Sequence, residues 1–352
     1  MTWEIRQGDA LERLREMPDE SVQCCVTSPP YWGLRDYGVE GQLGLEERPA
    51  EFIAALAKAF AEVRRVLRSD GTLWLNIGDS YAGSWGAQSR GNMTGEAKST
   101  LQGSTILSAR QIEAHPKGQR QTGTIREEGL KPKDLVGIPW ALAFALRADS
   151  WYLRRDIIWS KPNPMPESVQ DRPTSSHEYL FLLSKSRRYF YDAEAIRETA
   201  TWAGPHSPAK IPYGQGFAQR SAEQERERQD KQRGHSRRHA GFNDRWDSMS
   251  KEEQQALGRN KRSVWTIATR PYPEAHFATF PPDLVEPCVL AGSKEGDTVL
   301  DPFSGAATTG LVATRLERDF IGIELNPEYV ELGRHRIQDD APLLNTPAEA
   351  AA

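Results

Sequence analysis

Ser28-Pro29-Pro30-Tyr31 is the segment of this 352-residue chain whose residue types point most directly to chemistry. It follows a short apolar, β-branched run from Ser21 to Thr27 that reads as a strand. Two prolines in succession fix φ and keep the backbone extended, so the Ser28 and Pro29 carbonyls face set directions. Neither proline has an N–H to offer, and acceptors therefore dominate the turn. An exposed aromatic pair, Tyr31 and Trp32, beside rigid acceptors suits a planar ligand that carries an amino group. Tyr31 would stack on its face while Ser28 and a carbonyl hold the amino hydrogens. The same residues also describe a rigid strand-ending turn with both aromatics in the core.

A second turn lies near the other end of the sequence. Asp301-Pro302-Phe303-Ser304-Gly305-Ala306-Ala307-Thr308-Thr309-Gly310 joins a strand-like run to a helix-like one, which brings backbone N–H groups and a helix N-terminus towards a ligand. The next strand ends at Glu324, 19 positions after Gly305, where a carboxylate could take both hydroxyls of a ribose. The dinucleotide fingerprint GxGxxG is broken, because Ala307 occupies its second glycine position. A nucleoside without a pyrophosphate fits such a turn better. A tight turn in any α/β domain is the alternative.

The elements that would position these turns are legible from periodicity. Phe52, Leu56, Phe60, Val63 and Leu67 recur at helical spacing over 49–67, with Pro49 suited to the first turn, and Thr72 to Ile77 reads as the next strand. Strand, helix and strand in that order predict a βαβ unit and a parallel sheet. An apolar helix over 134–147 and strands over Trp151–Trp159 and Tyr179–Leu183 follow. The closing part alternates again: a strand at Asp297–Asp301, a helix over 307–317, a strand at Phe320–Glu324 and a helix over 327–338. Between these parts, 84–130 is rich in Gly, Ser, Thr and Gln without periodicity and reads as a long loop. The tail after 339 reads as frayed.

Composition narrows the function classes. No apolar run nears the roughly 20 residues that span a bilayer, and the N-terminus lacks a signal-peptide layout. Both point to a cytoplasmic protein without a membrane partner. Cys24, Cys25 and Cys288 form neither a disulfide framework nor a zinc-ligand spacing, so no metal is expected. The formal net charge is −4, which taken whole argues against a polyanionic partner. The charge is uneven, however. Residues 201–262 hold 13 Lys and Arg against 8 Asp and Glu, a local +5 that leaves −9 for everything else. The loop 84–130 is slightly basic as well.

Taken together, the two turns resemble those of the DNA amino-methyltransferases that use S-adenosylmethionine, in their β-type permuted arrangement. There a [DNS]-PP-[YFW] tetrapeptide comes early and an FxGxG turn late, as Ser28 to Tyr31 and Phe303-Ser304-Gly305 do here. Further similar segments are Gln7 to Leu11, Asn76 to Tyr81, Trp159-Ser160-Lys161-Pro162-Asn163, His177-Glu178-Tyr179 and His276 to Pro281. Ala307 departs from the family's second glycine. The resemblance covers most of 1–83, 134–192 and 264–338.

The resemblance implies a Rossmann-like α/β fold: a mostly parallel sheet with an antiparallel edge strand, a circularly permuted motif order and an inserted target-recognition region. By the same token 1–83 and 131–200 would form the catalytic half, 201–262 the recognition region and 263–338 the cofactor half, with 84–130 a loop insertion and 339–352 a tail. Ser28, Pro29, Pro30 and Tyr31 would be catalytic. Asp9, His276, Phe280, Asp301, Phe303, Ser304, Gly305, Thr308, Thr309, Glu324 and Asn326 would bind S-adenosylmethionine. Arg237, Arg238, Arg245, Lys261 and Arg262 would contact double-stranded DNA, where basic side chains neutralise phosphates. The target base must leave the helix to be reached. Serine at the first motif position resembles the enzymes acting on cytosine N4, and aspartate those acting on adenine N6. RNA or protein-glutamine methylation, and a non-catalytic DNA-binding module keeping the fold, are the readings from other classes. A Pro-Cys nucleophile of the cytosine-C5 kind is a poor match, because Cys288 precedes the late turn and sits in an apolar helix-like run. A cognate restriction endonuclease, a monomer or homodimer state, and a bacterial, archaeal or phage origin complete what the resemblance implies.

Overall fold

The computed structural model describes residues 1–33, 38–82, 129–199, 250, 258–270, 280–340 and 346–347. The chain divides into two units, 1–195 with 262–352, and 196–261. The first is built on nine strands: β1 (Thr2–Gln7), β2 (Val22–Thr27), β3 (Leu67–Ile77), β4 (Tyr152–Ser160), β5 (His177–Ser184), β6 (Val264–Thr266), β7 (Thr298–Asp301), β8 (Asp319–Glu324) and β9 (Thr346–Pro347). Their order across the sheet is β6-β4-β5-β3-β2-β7-β8-β1-β9. All run parallel except β5, which is antiparallel to both β3 and β4. The antiparallel strand therefore lies third from the edge, because β4 and β6 extend the sheet beyond it.

Helices α1 (Ala10–Arg15), α2 (Pro49–Val66), α3 (Ile138–Ala148), α4 (Pro282–Gly292), α5 (Thr308–Arg315) and α6 (Pro327–Asp340) cover the sheet. Successive strand residues face opposite ways, so the two cysteines of β2 separate. Cys25 joins a core formed with Phe52, Leu56, Phe60 and Val63 of α2 and Leu142 and Leu146 of α3. Cys24 faces Gly292 at the end of α4. Both thiols are fully buried, and burial pushes that of Cys24 up to about 12, as expected of packing residues rather than nucleophiles. Cys288 is equally buried within α4.

A side chain at Gly292 would have no room: its Cβ would lie 2.6 Å from Cys24 Sγ and 2.9 Å from both Thr72 Oγ1 and Trp74 Nε1. Gly292→Ala is expected to cost about 1–3 kcal/mol through overpacking, less the small gain in helix propensity. A urea unfolding series on both proteins measures it, and an unchanged midpoint would show that α4 does not lie this close to the sheet.

The sequence expectations meet the structure with some shifts. Helix α2 places Phe52, Leu56, Phe60 and Val63 inward as its spacing requires, while Leu67 already starts β3. Helix α3 starts at Ile138 rather than 134, because Gly137 is left-handed at φ 83° and Asp79 accepts its N–H at 2.9 Å and that of Ile138 at 3.0 Å. Helix α6 runs to Asp340 and β9 pairs with the outer edge of β1, while the rest of the tail expected to fray lies outside the described residues. Strand β1, grouped with the catalytic half in the sequence, pairs with β8 of the cofactor half. No helix among the described residues is long and apolar enough to cross a membrane.

In the second unit, Glu198 and Arg259 exchange backbone hydrogen bonds of 2.9 and 2.8 Å and form an ion pair at 3.1 Å. Arg237, Arg238 and Arg245, and most of the loop 84–130, lie outside the described residues. Lys261 closes this unit, half-buried, and Arg262 opens the last segment of the first, exposed.

Candidate active site

The sheet order places the two singled-out turns side by side. Strands β2 and β7 are neighbours, with Cys24 opposite Val299 and Cys25 opposite Leu300, and both run the same way. Chain order spreads outwards in opposite directions from this pair, which makes it the topological switch point where parallel sheets open a crevice. Ser28 to Tyr31 leaves the carboxyl end of β2, and Pro302 to Gly305 leaves the carboxyl end of β7. Glu324 ends β8, the next strand along.

Ser28 and Pro30 are partly exposed and Pro29 is buried. Tyr31 is held at two points. Its ring lies so close over Gly78 that a Cβ there would come within 2.5 Å of Cε2. Its hydroxyl donates to Glu178 Oε2 at 2.6 Å, with Asn76 Oδ1 at 3.2 Å. Trp32 is not part of an exposed aromatic pair: it is 1% exposed and its indole N–H donates to the Glu46 carbonyl at 3.0 Å. That is core packing, the alternative open at the sequence level for this residue.

On the cofactor side several expected ligands have other work. Asp301 is fully buried and accepts from Thr27 Oγ1 at 2.6 Å, Thr309 Oγ1 at 2.8 Å and the Phe303 N–H at 3.1 Å. It ties β2, β7 and α5 together and presents no surface to a ligand. Burial drives its carboxyl up to about 6, against the lowering effect of those three donors. Thr309 is likewise enclosed, its hydroxyl shared with the Val26 carbonyl at 3.1 Å. Thr308 is 3% exposed and accepts from Arg336. Asp9 caps α1 through the Glu12 N–H at 3.0 Å, and Asn326 caps α6 through the Glu328 N–H at 2.9 Å. Both caps lie beside Glu324, whose carbonyl accepts the Gly8 N–H at 2.9 Å and whose Oε1 accepts the Asn326 N–H at 2.8 Å. His276 lies outside the described residues, and Phe280 is partly buried just before α4.

What remains is a compact cradle. Glu324 Oε2 accepts the Gly305 N–H at 2.7 Å and Oε1 the Asn326 N–H at 2.8 Å, which orients the carboxylate across the turn. Burial holds this carboxyl above its ordinary 4.5, opposed by the N–H groups of Asn326, Gly305 and Leu325. Phe303, half-buried, sets its ring edge-on to Phe60 at 6.3 Å. Ser304 is 5% exposed, yet its hydroxyl has no hydrogen-bond partner among the described residues. That hydroxyl is enclosed and faces Gly322 of β8, where a Cβ would come within 2.7 Å of it. Ala307 takes the left-handed conformation at φ 55°, one that the family's glycine would adopt without strain. The residues fit a nucleoside: a carboxylate for ribose hydroxyls, an aromatic wall, and a polar turn.

Three residues of the site do not stand out individually in the sequence. Asn76, Lys161 and Glu178 lie inside segments that carry the resemblance, but only the sheet brings them to Tyr31. Lys161 Nζ pairs with Glu178 Oε1, and Asn76 Nδ2 donates to Glu178 Oε2 at 3.3 Å and to the Tyr179 carbonyl at 3.1 Å. Pairing of Ile77 with Tyr179 and of Trp159 with Glu178 puts all of them at one end of β3, β4 and β5.

Comparison with known proteins agrees with this arrangement. A family model described as DNA methylase matches residues 22–335. The chain is 45% identical over 334 residues to the Type II methyltransferase M.Cfr9I of Citrobacter freundii, covering 95% of this chain and 87% of that protein. It is 44% identical over 330 residues to the Type II methyltransferase M.SmaI of Serratia marcescens, covering 94% and 89%. Among solved structures, the fold is similar to that of PvuII DNA methyltransferase (cytosine-N4-specific), with a TM-score of 0.56, 18% identity and coverage of 96% and 86%. It is also similar to that of a putative DNA modification methylase from Thermus thermophilus complexed with S-adenosyl-L-methionine, with a TM-score of 0.53, 21% identity and coverage of 97% and 96%. A family match across most of the sheet, together with relatives this similar over nearly their whole length, shows that the chain belongs to the DNA methylase family of N6 and N4 amino-methyltransferases.

Proposed function

We propose that this DNA methyltransferase moves a methyl group from S-adenosylmethionine to the exocyclic N4 of a cytosine extruded from duplex DNA. The observation that carries the reading is the adjacency of β2 and β7, which sets an acceptor-rich Ser-Pro-Pro-Tyr turn beside a nucleoside cradle. S-adenosylmethionine, when bound, supplies an electrophilic sulfonium methyl. The chain does the rest by positioning. Glu324 takes the ribose hydroxyls and Phe303 lines the pocket.

An exocyclic amino nitrogen is a poor nucleophile because its lone pair is delocalised into the ring. Ser28 Oγ and the Pro29 carbonyl accept its two hydrogens, favouring a more tetrahedral nitrogen in line with the methyl, while Tyr31 stacks on the base. As the N–C bond forms and the C–S bond breaks, the surplus amino proton is released to solvent. Catalysis of this kind rests on orientation and fixed dipoles, with no covalent enzyme intermediate. Serine at position 28, the first-position residue that resembles the enzymes acting on cytosine N4, is what favours N4 over adenine N6 in this reading. We assign target recognition to the 196–261 unit, with Arg237, Arg238, Arg245 and Lys261 as DNA contacts joined by the neighbouring Arg262. The local charge of +5 over 201–262 supports that assignment. We place the protein in the cytoplasm, beside a restriction endonuclease that shares its target, in keeping with its Type II relatives.

Ser28→Ala and Tyr31→Ala are each expected to slow methyl transfer about a hundredfold, the range seen when one preorganised hydrogen-bonding group is removed from a reaction centre. Cofactor affinity, read by calorimetry, should stay within about twofold. Full methylation rates in both variants would remove the assignment.

A further inference from the structure

We infer that Glu178 and Lys161 are positioning residues for the methyl transfer, acting on the flipped base through the plane of the Tyr31 ring. This rests on the reading of Ser28 to Tyr31 as the base-binding turn. The adjacent prolines fix the backbone that leads into Tyr31, but the rotation of a tyrosine ring about χ2 is broad and is set by what the ring touches. Two contacts set it here. Gly78 receives the ring where any side chain would collide with it, at 2.5 Å from Cε2. At the far end the hydroxyl donates to Glu178 Oε2 at 2.6 Å. A ring held by one side and by its tip has one orientation to offer a stacking partner.

The Glu178 carboxylate is itself held. Asn76 Nδ2 donates to the oxygen that Tyr31 uses, and Lys161 Nζ pairs with the other. Lys161 is braced in turn, its ammonium 4.3 Å from the centre of the Trp159 ring. The side chains of Lys161 and Glu178 are only 19% and 18% exposed, so neither charge is well solvated without the other. Three strands converge to make the device: Asn76 comes from β3, Lys161 follows β4, and Glu178 is the second residue of β5. A structural ion pair could stand anywhere on the sheet. This one ends on the hydroxyl of the residue that meets the base. A phenol that donates to a carboxylate also has a more electron-rich ring, which suits a partner gathering positive charge as it accepts a methyl.

The test is a mutant cycle on single-turnover methyl transfer, using the full-length protein and a duplex carrying the site mapped by modified-base sequencing. Glu178→Ala and Tyr31→Phe are each expected to slow transfer about tenfold, with affinity for S-adenosylmethionine within about twofold of the parent. Glu178→Gln keeps an acceptor for the hydroxyl and should recover most of the rate. The double variant Tyr31→Phe with Glu178→Ala should be no slower than the slower single one, because the bond between Tyr31 and Glu178 is already lost in each. Fluorescence of 2-aminopurine at the target should show that the base still leaves the helix. Should Glu178→Ala lose its fold by circular dichroism, Tyr31→Phe carries the test, and a parental rate in that variant would overturn the inference. Additive losses in the double variant, or a parental rate in Glu178→Ala while Ser28→Ala is inactive, would overturn the inference and leave the turn's role intact. Full activity in Ser28→Ala and Tyr31→Ala would instead remove the underlying reading.

Discussion

Asp301→Ala lowers the stability of the sheet domain by about 3 kcal/mol, seen as a clear fall in the urea midpoint. The carboxylate at the end of β7 collects Thr27 Oγ1, Thr309 Oγ1 and the Phe303 N–H inside a fully buried site. Alanine orphans the Thr27 hydroxyl and the Phe303 N–H, at roughly 1–3 kcal/mol each, while Thr309 keeps the Val26 carbonyl. Part of that loss is offset, because an ionised carboxylate no longer has to be desolvated. The same desolvation gives the site a signature in pH. Burial raises the Asp301 carboxyl from 3.8 to about 6, so the folded protein holds this proton more tightly than the unfolded chain does. Its contribution to stability is therefore highest below about 3.8 and declines as pH rises through about 6. Asp301→Asn, similar in shape but uncharged, should flatten the stability profile between those values. Identical profiles for the two proteins would show that Asp301 is not the buried acid described here.

Glu324→Ala should weaken S-adenosylmethionine binding about a hundredfold or more, as measured by calorimetry. Hydrogen bonds to a charged group contribute about 1.5–3 kcal/mol each, and every 1.4 kcal/mol is a factor of ten. The variant also frees the N–H groups of Gly305 and Asn326, which the carboxylate now aligns. Glu324→Gln, with one acceptor left, should lose about tenfold. Because burial raises this carboxyl above 4.5, it gains its proton at a higher pH than an exposed glutamate. Binding by the parent should weaken on acidification in that range, and binding by the Gln variant should not follow it. An affinity unchanged in Glu324→Ala would place the ribose elsewhere.

These two acids show what a sequence can and cannot reveal. Both end strands beside the late turn, and the family resemblance assigns both to the cofactor. The structure separates them by burial: Glu324 stays at the rim while Asp301 turns inward to hold three donors. The same resemblance assigns Asp9 and Asn326 to the cofactor. A polar residue before a helix has the same appearance whether it caps the helix or binds a guest, and both of these cap. The two main turns are legible because prolines and glycines dictate backbone shape locally. So is helix α2, through its period. Strand β1 is not, since Thr2 to Gln7 alternates polar and apolar residues too briefly to stand out. The bond between Tyr31 and Glu178 is beyond reach for a different reason. It spans 147 positions and exists only because antiparallel β5 returns between β3 and β4.

The charge pattern carries a similar lesson. A total of −4 says little about a nucleic-acid partner, because a basic window of +5 is averaged with an acidic remainder of −9. On the proposed assignment of the basic segment to DNA, affinity for the duplex should depend steeply on salt despite the acidic total, because phosphate contacts release counterions.

The most direct measurement of the central claim is modified-base sequencing of DNA from a methylation-free host that expresses the parent chain, with the Ser28→Ala variant alongside. The parent should place N4-methylcytosine at one recurring short sequence, and Ser28→Ala should leave that sequence largely unmodified. N6-methyladenine in its place would contradict the cytosine assignment, and unmodified DNA from a folded parent that binds S-adenosylmethionine would contradict the enzymatic reading altogether.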